Sequence, residues 1–260
     1  MRPSTPASVV ICLVLACSAC GSHARSAAET SIQDVSPLAG RVVDAPDRTD
    51  ADRKLDPGRR PAELLTFLGV SPGMRVGEVI AGAGYSTELL ARAVAPGGVV
   101  YAENPGFVLR DLGSRWDERL ARPAMKDVVR VDREVLDPFP PDARDLDLVL
   151  INLVYHDTVW LGIDRDKMNR AVFAALKKGG RYAVIDHSAR HGSGLADVKA
   201  LHRIDEANVR AEVTAAGFEL QTADSFLRNP ADTRDWSASP EEAGLRRGTS
   251  DRFALLFVKP

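Results

Sequence analysis

The stretch that most constrains this chain is VGEVIAGAGYSTELLARAVAPGGVVYAE, residues 76–103. An apolar strand, Val76–Ile80, runs into a turn marked by Gly82 and Gly84. A helix over Ser86–Ala95 follows, and Pro96-Gly97-Gly98 turns the chain into a second apolar strand that ends on Glu103. Two strands joined through a helix lie parallel, and a parallel sheet needs helices on both of its faces. The remainder keeps the same alternation. Pro61 opens a helix with Leu64, Leu65 and Leu68 on one face, and a helix carrying Trp116 and Leu120 leads to a short strand at Val128–Val131. LDLVLINLVY (146–155) is a continuous apolar run, as expected of a strand buried on both faces. The helix Met168–Leu176 stops at Gly179-Gly180 before the strand RYAVID, and a helix over 202–216 ends at Gly217. Two closing strands, FELQTADSF and RFALLFVKP, flank a long polar loop. The pattern predicts a doubly wound α/β fold, mostly parallel, with helices on both faces.

In such a sheet, ligands sit beyond the carboxyl ends of the strands, where the strand order reverses. Gly82 and Gly84 fall just past the end of the first strand, where a bare backbone can approach a ligand. Glu103 lies about 20 residues further on, the distance at which a carboxylate can accept hydrogen bonds from a ribose diol. Thr87 stands where a dinucleotide fingerprint carries its third glycine or alanine, which counts against NAD. Glu78 on the first strand suits a ligand with positive charge and no phosphate. S-adenosylmethionine (SAM), which carries an ammonium and a sulfonium, meets that description. The predicted cofactor residues are therefore Glu78, Gly82, Gly84, Tyr85, Glu103 and Asn104. The competing reading is an ordinary tight turn between strand and helix.

The later strands bring polar groups to the same end of the sheet: Asn152, Tyr155, His156 and Asp157 after one, Asp186 and His187 after the next. His202 and Arg203 open the predicted helix that follows, Asp205 lies just beyond, and His191 sits in a glycine-rich loop. The candidate catalytic set is Tyr155, His156, Asp157, His187, His202 and Arg203. An imidazole with a pKa near 6.5 could deprotonate an incoming nucleophile, with Asp157 or Asp186 orienting the ring. A His/carboxylate metal site built from His156, His187 and His202 with Asp157 or Asp186 is a second reading. No HxH or HxxxH spacing supports it, so no metal is expected. Caps and satisfied hydrogen-bond partners are the third, above all for Asp157 and Asp186. The loop Arg228–Asp251 is long enough to cover a pocket, with Arg228, Asn229 and Asp232 placed to hold its base. Trp236 could cap an apolar substrate or pack the loop onto the domain.

All three cysteines, Cys12, Cys17 and Cys20, lie in the first twenty residues. An apolar run, ASVVICLVLA, stands behind Arg2 and before CSACGS, the pattern of a lipoprotein-type signal peptide over 1–20. Cys20 is the preferred acylation point and Cys17 the alternative. Residues 21–57, rich in Ser, Ala, Asp and Arg, read as a flexible tether ahead of a domain at 58–260. The expected location is the cell envelope, through a lipid anchor only; a misassigned start would make the protein cytoplasmic. With 34 basic against 36 acidic residues there is no cationic field for nucleic acid, and no nucleic-acid partner is expected.

Residues 59–260 resemble the SAM-dependent methyltransferase superfamily with a seven-stranded Rossmann-like sheet. More narrowly they are similar to a predicted, often exported bacterial group of undetermined substrate. The strings that carry the likeness are EVIAGAGYSTELLARAV, LVYHDTVW, VIDHSARHGSG, LHRIDEANV, AAGF, LRNPAD and TSDRFALLFVKP. The resemblance implies an antiparallel last strand, SAM above Glu78, Gly82, Gly84 and Glu103, and methyl transfer to a small molecule or envelope constituent. Ile80 departs from the superfamily, which commonly has glycine two residues after the acid. Fold alone does not establish catalysis. A non-catalytic binding lipoprotein and a metal-dependent enzyme using the His/Asp cluster remain the alternatives.

Overall fold

The computed structural model describes Met1, Glu29–Thr30 and residues 34–260. Cys12, Cys17, Cys20, His23, the expected signal peptide and most of the first half of the expected tether lie outside the described residues. Among the described residues no helix is long and apolar enough to cross a membrane.

The strands are β1 (Glu29–Thr30), β2 (Arg75–Val79), β3 (Val99–Glu103), β4 (Val128–Val131), β5 (Leu146–Asn152), β6 (Leu176–His187), β7 (Glu219–Asp224) and β8 (Arg252–Val258). They form one sheet in the order β1-β7-β8-β6-β5-β2-β3-β4, seven full strands with the two-residue β1 at one edge. β8 is antiparallel to both β6 and β7, and the other pairings are parallel. The predicted doubly wound sheet with an antiparallel last strand is what the chain forms. From β2 the chain steps outward to β3 and β4, then returns to lay β5 along the other side of β2. That reversal places a crevice above β2 and β5.

Apolar clusters cover the two faces. One packs Met168, Val172, Val209, Val213 and Phe218 against β5, β6 and β8; the other packs Leu64, Leu65, Leu68, Leu89 and Leu90 on the opposite side. The helices on the first side are α9 (Arg165–Ala175) and α11 (Glu206–Ala215). Those on the second include α4 (Pro61–Leu68) and α5 (Tyr85–Val94), while α6 (Gly106–Leu112) and α7 (Arg115–Leu120) follow β3 and the short α8 (Asp157–Trp160) follows β5.

Two expectations need correction. Residues 37–57 are not tether: they lie in α1 (Pro37–Val43), α2 (Asp50–Arg53), α3 (Asp56–Arg59) and the turns between them. Ser36 and Thr49 cap the first two, each accepting a backbone N–H. Their charges are taken up in packing, with Arg48 forked onto Asp56 at 2.8 and 2.7 Å and Asp52 paired with Arg119 at 2.6 Å. The predicted helix over 202–216 is also divided. A short α10 (Val198–Leu201) ends at His202 in a left-handed conformation, and α11 begins after Asp205, whose carboxylate caps it. An aspartate ahead of a helical run is the stronger start signal, because its oxygen accepts a backbone N–H that the first turn leaves without a partner.

Candidate functional site: a cleft at the sheet reversal

A cleft of about 580 Å³ lies above the β2–β5 boundary. At one end the wall is Glu78, the turn 80–83 and Tyr85; at the other it is His156, Asp157, His187 and His202.

Glu78 is 2 % exposed and accepts the Thr87 hydroxyl at 2.6 Å. Burial pushes its carboxyl up to about 7. Gly82, with φ +58°, has open space where a Cβ would stand, so bare backbone faces the cleft. Asn104 fixes that turn from behind: Gly82 N–H donates to its Oδ1 at 2.8 Å and its Nδ2 donates to Gly82 O at 3.0 Å. Asn104 therefore shapes the turn and does not line the cleft. Gly84 has a different duty, since a Cβ there would lie 2.6 Å from the Trp116 ring. Tyr85 lines the cleft, its hydroxyl donating to Asp56 at 2.6 Å.

Glu103 is placed differently from expectation. It is fully buried behind the turn and does not line the cleft; one oxygen accepts Ile80 N–H at 2.9 Å. Its other oxygen has no partner, and burial raises the group to about 8. Ile80 itself lines the cleft with φ +55°, a strained backbone for a β-branched residue. The strain arises because the turn needs a left-handed residue at a position where this chain lacks glycine. A buried carboxyl oxygen without a donor is costly, and protonation lowers that cost. Glu78 and the bare Gly82 backbone, both lining the cleft, make the residues fit SAM, and Glu103 acts through the turn it fixes.

At the reaction end, His156 is wedged between two carboxylates. Its Nδ1 lies 2.8 Å from Asp186 Oδ1 and its Nε2 3.1 Å from Asp157 Oδ1. Burial disfavours the charge, but the two carboxylates outweigh it and hold the imidazolium up to about 10. His156 is thus a fixed cation at neutral pH, not the available base expected of it. His187 is the opposite. Burial and the neighbouring His156 drive it well below 6.5, and Nδ1 is bonded to Ser250 Oγ at 2.7 Å. His202 lies 3.6 Å from the same Asp157 oxygen and packs edge-on to His156 at 5.5 Å. Among the described residues, His156, Asp157 and His202 are the one group whose ligand atoms all lie within 4.8 Å, close enough to hold a cation.

Two candidates are corrected outright. Tyr155 is fully buried and points into the α9–α11 packing, donating to Glu212 at 2.8 Å and accepting from Asn169 at 2.9 Å. Arg203 is also fully buried, paired with Asp232 at 2.8 Å beneath the Trp236 ring. Adjacent residues on an irregular segment diverge, so Tyr155 faces the core where His156 faces the cleft. His191 is exposed and lies outside the cleft. The loop after β7 covers the pocket as expected, through Ala238–Glu241 and Arg247. Trp236 packs it down over Arg203.

Sequence reasoning missed Asp52 and Leu55, from the supposed tether, and Arg59, at the start of the expected domain, which form the cleft's outer wall. Ser36-Pro37 and Thr49-Asp50 are helix-start signatures that could have found them.

No family model matches the chain. Among solved structures it is similar to a SAM-dependent methyltransferase from Aquifex aeolicus, with 18 % identity over 82 % of this chain and 100 % of that one, TM-score 0.57. It is similar to TrmN from Thermus thermophilus at 19 % identity, over 76 % of this chain and 47 % of that one, TM-score 0.50. It is also similar to the [4+2]-cyclase SpnF at 16 % identity, over 86 % and 92 % of the two chains, TM-score 0.54. What these likenesses show is the fold: this chain is built on the Rossmann-like α/β architecture of the SAM-dependent methyltransferases.

Proposed function

We propose that the protein is a SAM-dependent methyltransferase acting on a small molecule or an envelope constituent. The observation that carries the reading is a single cleft joining a buried acid and bare glycine backbone to a histidine cluster. Glu78 and the Gly82 backbone would hold SAM, with Glu103 fixing the turn from behind, and SAM when bound supplies an electrophilic methyl group on a sulfonium. In-line transfer depends chiefly on alignment, and α3 with residues 238–241 walls the site from water. His187, uncharged at neutral pH, meets the acceptor as a neutral hydrogen-bonding group; His156, as a fixed imidazolium, holds Asp157 in place beside His202. Acylation at Cys20, or else at Cys17, belongs to the same proposal, and the intact mass of the mature protein tests it.

Isothermal titration of the full chain with SAM and with its demethylated product tests the reading. Micromolar affinity is expected, falling at least ~10-fold in Glu103→Ala as the Ile80 N–H loses the carboxyl that holds the cofactor turn. An absence of heat at millimolar SAM removes the proposal. The His156–Asp157–His202 group supports a second reading, a metal-dependent enzyme. Metal analysis of untagged protein decides it, since a preparation free of zinc, iron and manganese retires that reading.

A further inference from the structure

We propose that a second pocket, opening off the cleft at His187, binds the carboxylate or phosphate of a small organic acceptor. The role as an acceptor subsite rests on the transferase reading; the anion site stands on its own geometry. The pocket measures about 320 Å³, and its wall carries Lys54, Arg59, Arg247 and Arg252 without a single Asp or Glu. In a chain whose net charge is −2, that is a local concentration of cations and not a consequence of composition.

Arg252 is 4 % exposed, and its two hydrogen bonds go to backbone carbonyls, Gly248 O at 2.8 Å and Ser250 O at 3.3 Å. The carboxylates whose fields reach it are committed elsewhere: Asp251 to Arg234 at 2.7 Å and Asn229 N–H at 2.8 Å, Asp232 to Arg203 at 2.8 Å. Burial and the nearby Arg59 pull Arg252 down to about 10. Arg59 lies over the Tyr85 ring at 4.4 Å and forms no ion pair among the described residues. Stacking of this kind leaves the guanidinium edge clear to fork onto a carboxylate or phosphate. A buried guanidinium whose only partners are neutral carbonyls, as for Arg252, is costly to the fold, and an arriving anion relieves that cost.

Leu55, Leu153 and Pro240 complete the wall, so the site suits an anion with a small apolar body. Its outer side is shut where α3 meets the loop, a Cβ on Gly58 falling 2.9 Å from Gly248 Cα. His187 lines both spaces, so a molecule anchored by Arg252 would present its far end to the cleft.

Titration of the full chain with benzoate, phenyl phosphate and neutral benzyl alcohol tests the site. At least one acid is expected to bind ~10-fold or more tightly than the alcohol, and to weaken with salt. The order of the two acids tells carboxylate from phosphate. Arg252→Met should abolish the preference, with a urea midpoint confirming that the variant folds; should it not fold, Arg59→Gln and Arg247→Gln replace it. Equal affinity for the alcohol, or acid binding undiminished in Arg59→Gln and Arg247→Gln, overturns the proposal. SAM is titrated in parallel. Anion heat without SAM heat keeps this site and removes the transferase reading, whereas SAM heat without anion heat removes this site alone.

Discussion

Asp186 shows how one buried side chain organises the reaction face. Its carboxylate accepts the backbone N–H of His156 and of His187, both at 2.7 Å, and the His156 ring at 2.8 Å. His156→Ala removes the only cation in that set and strands a fully buried carboxylate. The expected loss is about 3–5 kcal/mol in urea unfolding, as for other broken buried pairs. The signs of the shifted groups also fix a pH profile. His156, raised to about 10, contributes stability that is complete below 6.5 and lost as pH rises through 10. Glu78 and Glu103, raised from 4.5 to about 7 and about 8, favour the fold while protonated and withdraw that support as pH climbs through those values. Asp157 and Glu88 are depressed by their cationic partners, and Asp232 by backbone N–H bonds and then Arg203; all three oppose only acid unfolding. Thermal midpoints should therefore peak near about pH 5 and decline toward pH 10. His156→Ala should flatten the limb above about pH 7, and a wild-type midpoint that rises from pH 6 to 9 would contradict the assignment. The identity of these groups was legible in the sequence, but their protonation was not. Glu103 was readable as an acid at a strand end, yet nothing in the pattern says that its oxygen turns to the Ile80 amide.

Loop Arg228–Asp251 acts as a lid because its base is fastened at several points. Asp232 pairs with Arg203, both side chains fully buried, and accepts the Asp251 N–H at 2.6 Å. Arg203 also donates to Trp236 O at 3.1 Å and to Ser188 O at 3.0 Å. Arg228 bonds Glu206 at the start of α11. Loop length predicted a cover, and the positions of Arg228, Asn229 and Asp232 predicted where it is held. Arg203 was misread because a sequence shows where charges lie along the chain but not which of them meet. Arg203→Ala should leave Asp232 buried and unpaired and release the loop. Limited proteolysis is expected to cut within 233–247 much faster than in the wild type, with the α/β core intact. Unchanged cleavage would mean that Trp236 and Asn229 suffice to hold the lid.

The seven full strands were readable because most strands and helices carry their own period and most boundaries a glycine or proline. The two-residue β1 was not, and β6 starts at Leu176, ahead of the expected Gly179-Gly180 boundary. The segment 34–59 was not readable either, because its stability comes from pairs with residues far along the chain. Asp52 meets Arg119, Asp56 meets Tyr85 and Arg48, and Ala39 and Val42 cover Leu64, Leu65 and Ala91. Arg119 in turn joins Arg92 and Arg122 around Glu88 on α5, so the segment is tied to the helix that follows the Gly82 turn. A chain beginning at residue 60 would expose that apolar surface and leave Arg119 and Tyr85 without these partners. It should unfold at clearly lower urea than the full chain and lose the outer wall of both pockets, along with the heats of SAM and benzoate binding. A chain beginning at residue 34 keeps every one of these contacts and should match the full chain in both measurements. Equal stability of the two truncations would return residues 34–59 to the role of tether and confine the ligand sites to the sheet and its lid.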